Sequence, residues 1–118
     1  MDYTQGKIWG VTRQIFNQNN VEIHRIEINK GYKCSKHVHN HKYNIFFVES
    51  GKILVREWKN EYSLIDETTL SKEQMCIIKP GNYHEFHGLE NSIVYEIYYV
   101  TLNTDDILRE NTGSKIDI

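Results

Sequence analysis

Residues 31 to 51 read GYKCSKHVHNHKYNIFFVESG and place histidines at alternating positions, His37, His39 and His41. Neutral imidazole is a good ligand for divalent ions such as zinc and iron. In an extended segment alternate side chains share a face, so His37 and His39 project to one side and Val38 to the other. One strand can offer only alternate residues to a cavity, so a metal site also needs a donor from a second segment. The stretch KPGNYHEFH supplies a candidate: Pro80 and Gly81 form a tight turn, and His84 opens the strand that follows. His24, His41 and His87 read instead as surface or hydrogen-bonded residues.

Donors from distant segments require a scaffold that brings them together, and the chain reads as strands. Short β-rich runs, among them KIWGVTRQIF, VEIHRIEI, KHVH, YNIFFV, KILVREW, MCIIK and SIVYEIYYVTL, are separated by turn residues such as NQNN, ESG and PGN. Many short strands at this spacing predict a sandwich or a small barrel. Only the tail TDDILRE allows a helix, a short one with Thr104 as N-cap. In YNIFFVES, Asn44, Phe46 and Val48 share one face and Ile45, Phe47 and Glu49 the other. Both faces are largely apolar, which predicts cover on both sides. In VEIHRIEI the apolar phase changes between Ile23 and Ile26, the mark of a bulge or of two buried faces.

The whole chain, residues 1–118, fits one domain, because 118 residues leave little room for a second core. A net charge of −2 creates no field that would draw the surface onto a phosphate backbone, so nucleic acid is not an expected partner. The start MDYTQGKIWG lacks the basic and apolar segments of a signal peptide, and no apolar run approaches the roughly 18 residues of a membrane span. The expected location is cytoplasmic, with no membrane partner. Cys34 and Cys76 form no CxxC pair, and both read as reduced.

The spacing around the histidines is more specific than composition. Gly31, five residues, His37-x-His39, four residues, Asn44, six residues and Gly51, followed by Pro80-Gly81-x-x-His84, resembles the two motifs of the cupin superfamily with one substitution. The resemblance implies an all-β, single-domain cupin: a double-stranded β-helix or jelly-roll barrel with the site inside it. It also implies a divalent metal, whether zinc, manganese, iron, cobalt or nickel, at His37, His39 and His84. Where cupins carry a glutamate ligand, this chain has Asn44. A neutral amide oxygen is a poorer ligand than a carboxylate and leaves the full charge of the ion on the site. Such a site could be a stronger Lewis acid or a weaker metal binder, and Asn44 could alternatively orient a ligand by hydrogen bonding.

A narrower resemblance covers nearly the whole chain. Residues from KIWGVTRQIF to KHVHNHK, with the closing DDILR, are similar to the cupin domain of type II mannose-6-phosphate isomerases. Trp9, Gly10, Arg25, Gly31, Ser35, His39, Gly51, Gly81, His84, Asp105, Asp106 and Arg109 fall on that family's positions. His37 stands where the family often has glutamine. The implied chemistry is aldose–ketose isomerisation of a sugar phosphate, with Glu96 or Glu85 as the base and Arg25, Lys42, Arg56 and Arg109 as phosphate contacts. Each charged residue also has a plain reading as a solvated or helix-end group. Two other functions are open: a three-histidine dioxygenase on a small molecule, and a non-catalytic metabolite-binding cupin. Small cupins pair through their outer sheets, and the two apolar faces of NIFFV fit a homodimer.

Overall fold

The computed structural model describes residues 3–59, 64–100, 108 and 112–116. Among these, the chain forms strands β1 (Thr4–Lys7), β2 (Gly10–Gln18), β3 (Val21–Ile28), β4 (Tyr43–Ser50), β5 (Ile53–Lys59), β6 (Leu64–Leu70), β7 (Met75–Ile78), β8 (Tyr83–Gly88) and β9 (Ser92–Tyr99). No helix occurs among the described residues. The short helix expected near Thr104, with Asp105, Asp106 and Arg109, lies outside them. The expected all-β architecture is what forms: a six-stranded antiparallel sheet in the order β1-β2-β3-β9-β4-β7 and a three-stranded one in the order β6-β5-β8.

Residues paired across strands share a face, so the register converts sequence alternation into rows. On the inner face of the large sheet the rows are Ile28–Ser92, Ile26–Val94–Val48, His24–Glu96–Phe46 and Glu22–Tyr98–Asn44. The sheet is apolar at one end and polar at the other. Ile26, Ile28, Val48 and Val94 join Ile53, Val55, Leu70 and Phe86 of the small sheet in the buried core. Each large apolar side chain buried there contributes roughly 1.5–3 kcal/mol. That core fixes the sheets face to face and leaves the polar rows around a space between them.

The expected alternation holds in β4, where Asn44, Phe46 and Val48 are buried, Ile45 and Phe47 half-buried and Glu49 exposed. Three segments differ from expectation. KIWGVTRQIF is broken at Ile8–Trp9, and β2 starts at Gly10, where a Cβ would stand 1.8 Å from the Glu27 carbonyl oxygen. In VEIHRIEI the strand itself is regular against β9; the irregularity lies in its other neighbour, between Gln14 and Phe16 of β2. KHVH forms no strand; its His37 meets His84 of β8 in an isolated bridge, and upstream of it Lys33 bridges His87. Between them the Cys34 N–H donates to the Phe86 carbonyl at 3.1 Å, and the Phe86 N–H donates to the Cys34 thiol at 3.2 Å. Both cysteines are free, and burial pushes each thiol up to about 12.

Candidate metal centre and its cavity

The His37–His84 bridge joins the two histidine segments. His37 N–H donates to the His84 carbonyl at 3.1 Å, and His84 N–H returns the bond to His37 at 2.9 Å. Beyond the bridge, Gly81 N–H donates to the His39 carbonyl at 2.8 Å, so the turn before β8 also holds the HxH segment. The rings of His37, His39 and His84 converge, and one ligand atom from each lies within 4.8 Å of the others. Three histidines that could hold a metal therefore meet at the polar end of the barrel.

The ring environments fit a cation. His39 Nε2 is buried and has no hydrogen-bond partner. His37 Nδ1 donates to the Ser35 carbonyl at 2.8 Å, which leaves Nε2 for the centre. Both His84 nitrogens face carbonyl oxygens: Nδ1 lies 3.1 Å from Asn82 O and Nε2 lies 3.1 Å from Asn44 Oδ1. A neutral imidazole has only one N–H to give. With that N–H at Nδ1 donating to the Asn82 carbonyl, the Nε2 lone pair confronts the lone pairs of Asn44 Oδ1, a juxtaposition that a shared cation satisfies. Asn44 Nδ2 donates to Ile45 O at 3.3 Å, which orients the amide this way. Burial, reinforced by neighbouring histidines, lowers His39 to about 4. Burial also takes His84 to about 4, against the pull of the Asn82 carbonyl. Both rings are thus neutral and able to ligate at pH 7.

Beside His37 opens a cavity of about 700 Å³, lined by Trp9, Thr12, His24, Lys33, Glu96 and Tyr98 among others. That volume suits a small molecule. Glu96 is buried at 7% exposure and accepts the Tyr98 hydroxyl at 2.8 Å. Burial holds its carboxyl above the usual range, against the Tyr98 hydrogen bond and the charges of His24 and His37. Asn44 faces His84 and also favours the charged form of Glu96, so a single amide acts on both groups. Burial, then Glu96, raises the Tyr98 phenol as well, so it stays a donor.

The structure brings Glu96 to the cavity that His37 lines but not the other charged candidates. Glu85 points away from the barrel interior and is held by Arg56 at 3.3 Å and His87 at 2.8 Å. Burial opposes its charge, but the His87 hydrogen bond and the charges of Lys33, His87 and Arg56 keep it below the usual carboxylate range. Arg56 also pairs with Glu67, and Arg25 pairs with Glu27 on the outer face of the large sheet. Lys42 lies 3.9 Å over the Tyr98 ring, in a separate hollow of about 190 Å³. Arg109 is outside the described residues. The cations that do line the cavity are Lys7 and Lys33. Sequence reading missed them, together with His24, Thr12 and Tyr98. Only the pairing of β3, β9 and β4 reveals that His24 and Tyr98 stand beside Glu96 and Asn44; for Lys33, proximity to the HxH segment was the available signal. Trp9 has the packing role expected, edge-on to Phe86 at 4.9 Å, and also forms cavity wall.

No protein-family profile matches the chain, and no curated protein matches it in sequence. Solved structures do match. KdgF from Halomonas sp. superposes with a TM-score of 0.71 at 16% identity, over 84% of this chain and 88% of its own. The Cnp3 cupin domain of Schizosaccharomyces pombe gives 0.70 at 18% identity, over 83% and 68%. A Klebsiella pneumoniae protein with a double-stranded β-helix domain gives 0.68 at 19% identity, over 82% and 78%. The fold is accordingly the cupin double-stranded β-helix. This chain is a small cupin-fold protein with a three-histidine cluster, one member of which, His37, lines its cavity.

Proposed function

We propose that the protein is a divalent-metal enzyme that moves a proton on a small hydroxy-carbonyl compound, of the kind required for aldose–ketose isomerisation of a sugar phosphate. The observation that carries the reading is a buried carboxyl, Glu96, whose affinity for protons is raised, in the cavity that His37 of the histidine cluster also lines. His37, His39 and His84 would hold the ion, with Asn44 Oδ1 at its edge. A bound ion supplies Lewis-acid polarisation of the carbonyl and neighbouring hydroxyl. Glu96 is the base. Its raised affinity for protons brings it closer to the operating pH, where it can take a proton from carbon and return it to the adjacent carbon. Tyr98 orients that carboxyl group. Lys7 and Lys33 offer positive charge to a phosphate, in place of the arginines nominated by the resemblance, and Trp9 gives the ring of a sugar an apolar wall.

The test is turnover. Purified protein loaded with zinc, manganese or cobalt is incubated with mannose 6-phosphate, and fructose 6-phosphate is detected by a coupled assay. Absence of turnover with every metal removes the isomerase reading. Elemental analysis of protein purified without added metal separates it from oxygen chemistry, which needs a redox-active ion such as iron.

A second copy of the chain is the proposed partner of the outer face of the large sheet. Across it runs one apolar row, Phe16, Ile23, Ile97, Ile45 and Ile77, flanked by the stacked rings of Tyr43 and Tyr99. Phe16 and Ile77 are 46% and 45% exposed, which is costly for apolar groups left in water. Strands about 4.8 Å apart and about 27 Å long make a face on the order of 700 Å², close to what each partner buries in a standard interface. Arg25 and Glu27 give the face both signs of charge, so it can meet its own copy.

A further inference from the structure

Two side chains of β3 in or beside the cavity wall have no role in the reading above. His24 Nε2 lies 2.6 Å from Glu22 Oε2, a short charge-assisted contact, while Nδ1 faces the Thr12 hydroxyl of β2 at 3.5 Å. Thr12 and His24 both line the cavity. The β3–β9 register sets His24 directly opposite Glu96 on the inner face. The two do not bond each other: Glu96 takes the Tyr98 hydroxyl, and His24 takes Glu22. The Tyr98 ring meets the His24 imidazole edge-on at 5.7 Å and fixes its plane. Each of two neighbouring proton carriers therefore has its own orienting partner. An acid/base pair needs that arrangement, because a direct bond between the two would occupy the sites that must reach a substrate.

We propose that His24, oriented by Glu22, is a second acid/base of this site, which moves a proton between adjacent substrate oxygens while Glu96 moves one between adjacent carbons. The proposal rests on the proton-transfer reading given above. His24 starts with protons on both nitrogens, its charge balanced by the Glu22 carboxylate. Glu96 takes the proton from C2, the C–H electron pair becomes the C1=C2 bond, and the carbonyl electrons on O1 take the proton from His24 Nδ1. The product is an enediol. Nδ1 then takes the proton from the O2 hydroxyl, the O2 electrons form the new carbonyl, and the C1=C2 pair takes the Glu96 proton at C1. Both groups end as they began, and no oxidant or reductant is consumed. Glu22 acts as a positioning residue throughout.

The test has two arms on zinc-loaded, full-length protein. In the first, long-range proton–nitrogen NMR on 15N-labelled protein reads the His24 nitrogens with and without glycolohydroxamate, a small mimic of the enediol. The expected result is a proton held at Nε2 and a change at Nδ1 when the mimic binds; in Glu22→Gln the Nδ1 response is reduced. In the second arm, His24→Gln, checked for zinc content and thermal melting, is assayed on mannose 6-phosphate and loses about a hundredfold or more in turnover with zinc retained. Turnover within about threefold of wild type overturns the role of His24 and leaves the isomerase reading intact. If the wild type turns over no sugar phosphate but Nδ1 responds to the mimic, the isomerase reading fails and His24 keeps its place in the site. An Nδ1 that ignores bound mimic overturns the proposal whatever the variant's turnover, and it decides the matter if His24→Gln does not fold.

Discussion

The polar atoms of the proposed site are few, and their environments make opposite demands. Asn44 is buried at 1% exposure with its carbonyl oxygen at His84 and an interaction with Glu96. Replacing it by glutamate puts a second carboxyl beside Glu96 and supplies the anionic ligand that three neutral imidazoles lack. Asn44→Glu should therefore tighten zinc binding by about tenfold or more, read by chelator competition, and lower the melting temperature of the metal-free protein. Unchanged affinity would place the residue outside the centre. Glu96→Gln preserves an acceptor for Tyr98 and removes a charge that burial opposes. Its turnover should fall by about 10²- to 10⁴-fold while its melting temperature at pH 8 holds or rises. A melting temperature several degrees lower would mean that the carboxylate is structural. Proton linkage gives a third expectation. His39 and His84 titrate at about 4 in the folded chain against 6.5 unfolded. Between those values the unfolded chain binds more protons, so the metal-free protein gains stability as pH rises from 4 toward 6.5 and keeps that gain above it. Thermal melts of chelator-treated protein should climb through that window, less steeply in His39→Gln; an identical slope in the variant would contradict the assignment.

At the scale of elements, the site depends on connections rather than on strands alone. The last glycine of the first motif, Gly51, turns β4 into β5 with φ +91°, and a Cβ there would stand 2.3 Å from Ser92 Oγ and 2.5 Å from Asn91 O. Ser92 Oγ is itself committed to Lys52 and Glu90. Gly51→Ala should destabilise the protein by about 2 kcal/mol or more, measured by denaturant unfolding, through combined strain and clash. A change below about 0.5 kcal/mol would show that the turn relaxes freely. The histidine segment illustrates the limit of pattern reading. Alternation in HVHNH anticipated that His37 and His39 share a side, and the PGxxH spacing anticipated their meeting with His84. The pattern could not reveal that KHVH meets β8 through a single bridge rather than a ladder, because that pairing depends on His84 in a strand distant along the chain.

For the molecule as a whole, the proposed dimer rests on the outer face of the large sheet. Ile45→Lys, placed mid-row, should convert the proposed dimer to a monomer in sedimentation at micromolar concentration while leaving zinc content unchanged. A wild type that already sediments as a monomer would remove the dimer. Ile45 is half-buried and faces outward, so the change tests the interface without reaching the core. The sequence determined by itself the all-β class, the barrel-like placement of turns, the three histidines and the unusual Asn44, because period-two alternation and fixed motif spacing are local and survive any choice of strand partners. Tertiary structure alone decided which charges enter the cavity. Glu96 and Glu85 look alike along the chain, as do Arg25, Arg56 and Lys33. Their faces depend on cross-strand register, and register is set by the burial of Ile26, Val48, Phe86 and Val94 between two sheets rather than by any residue near the charges themselves.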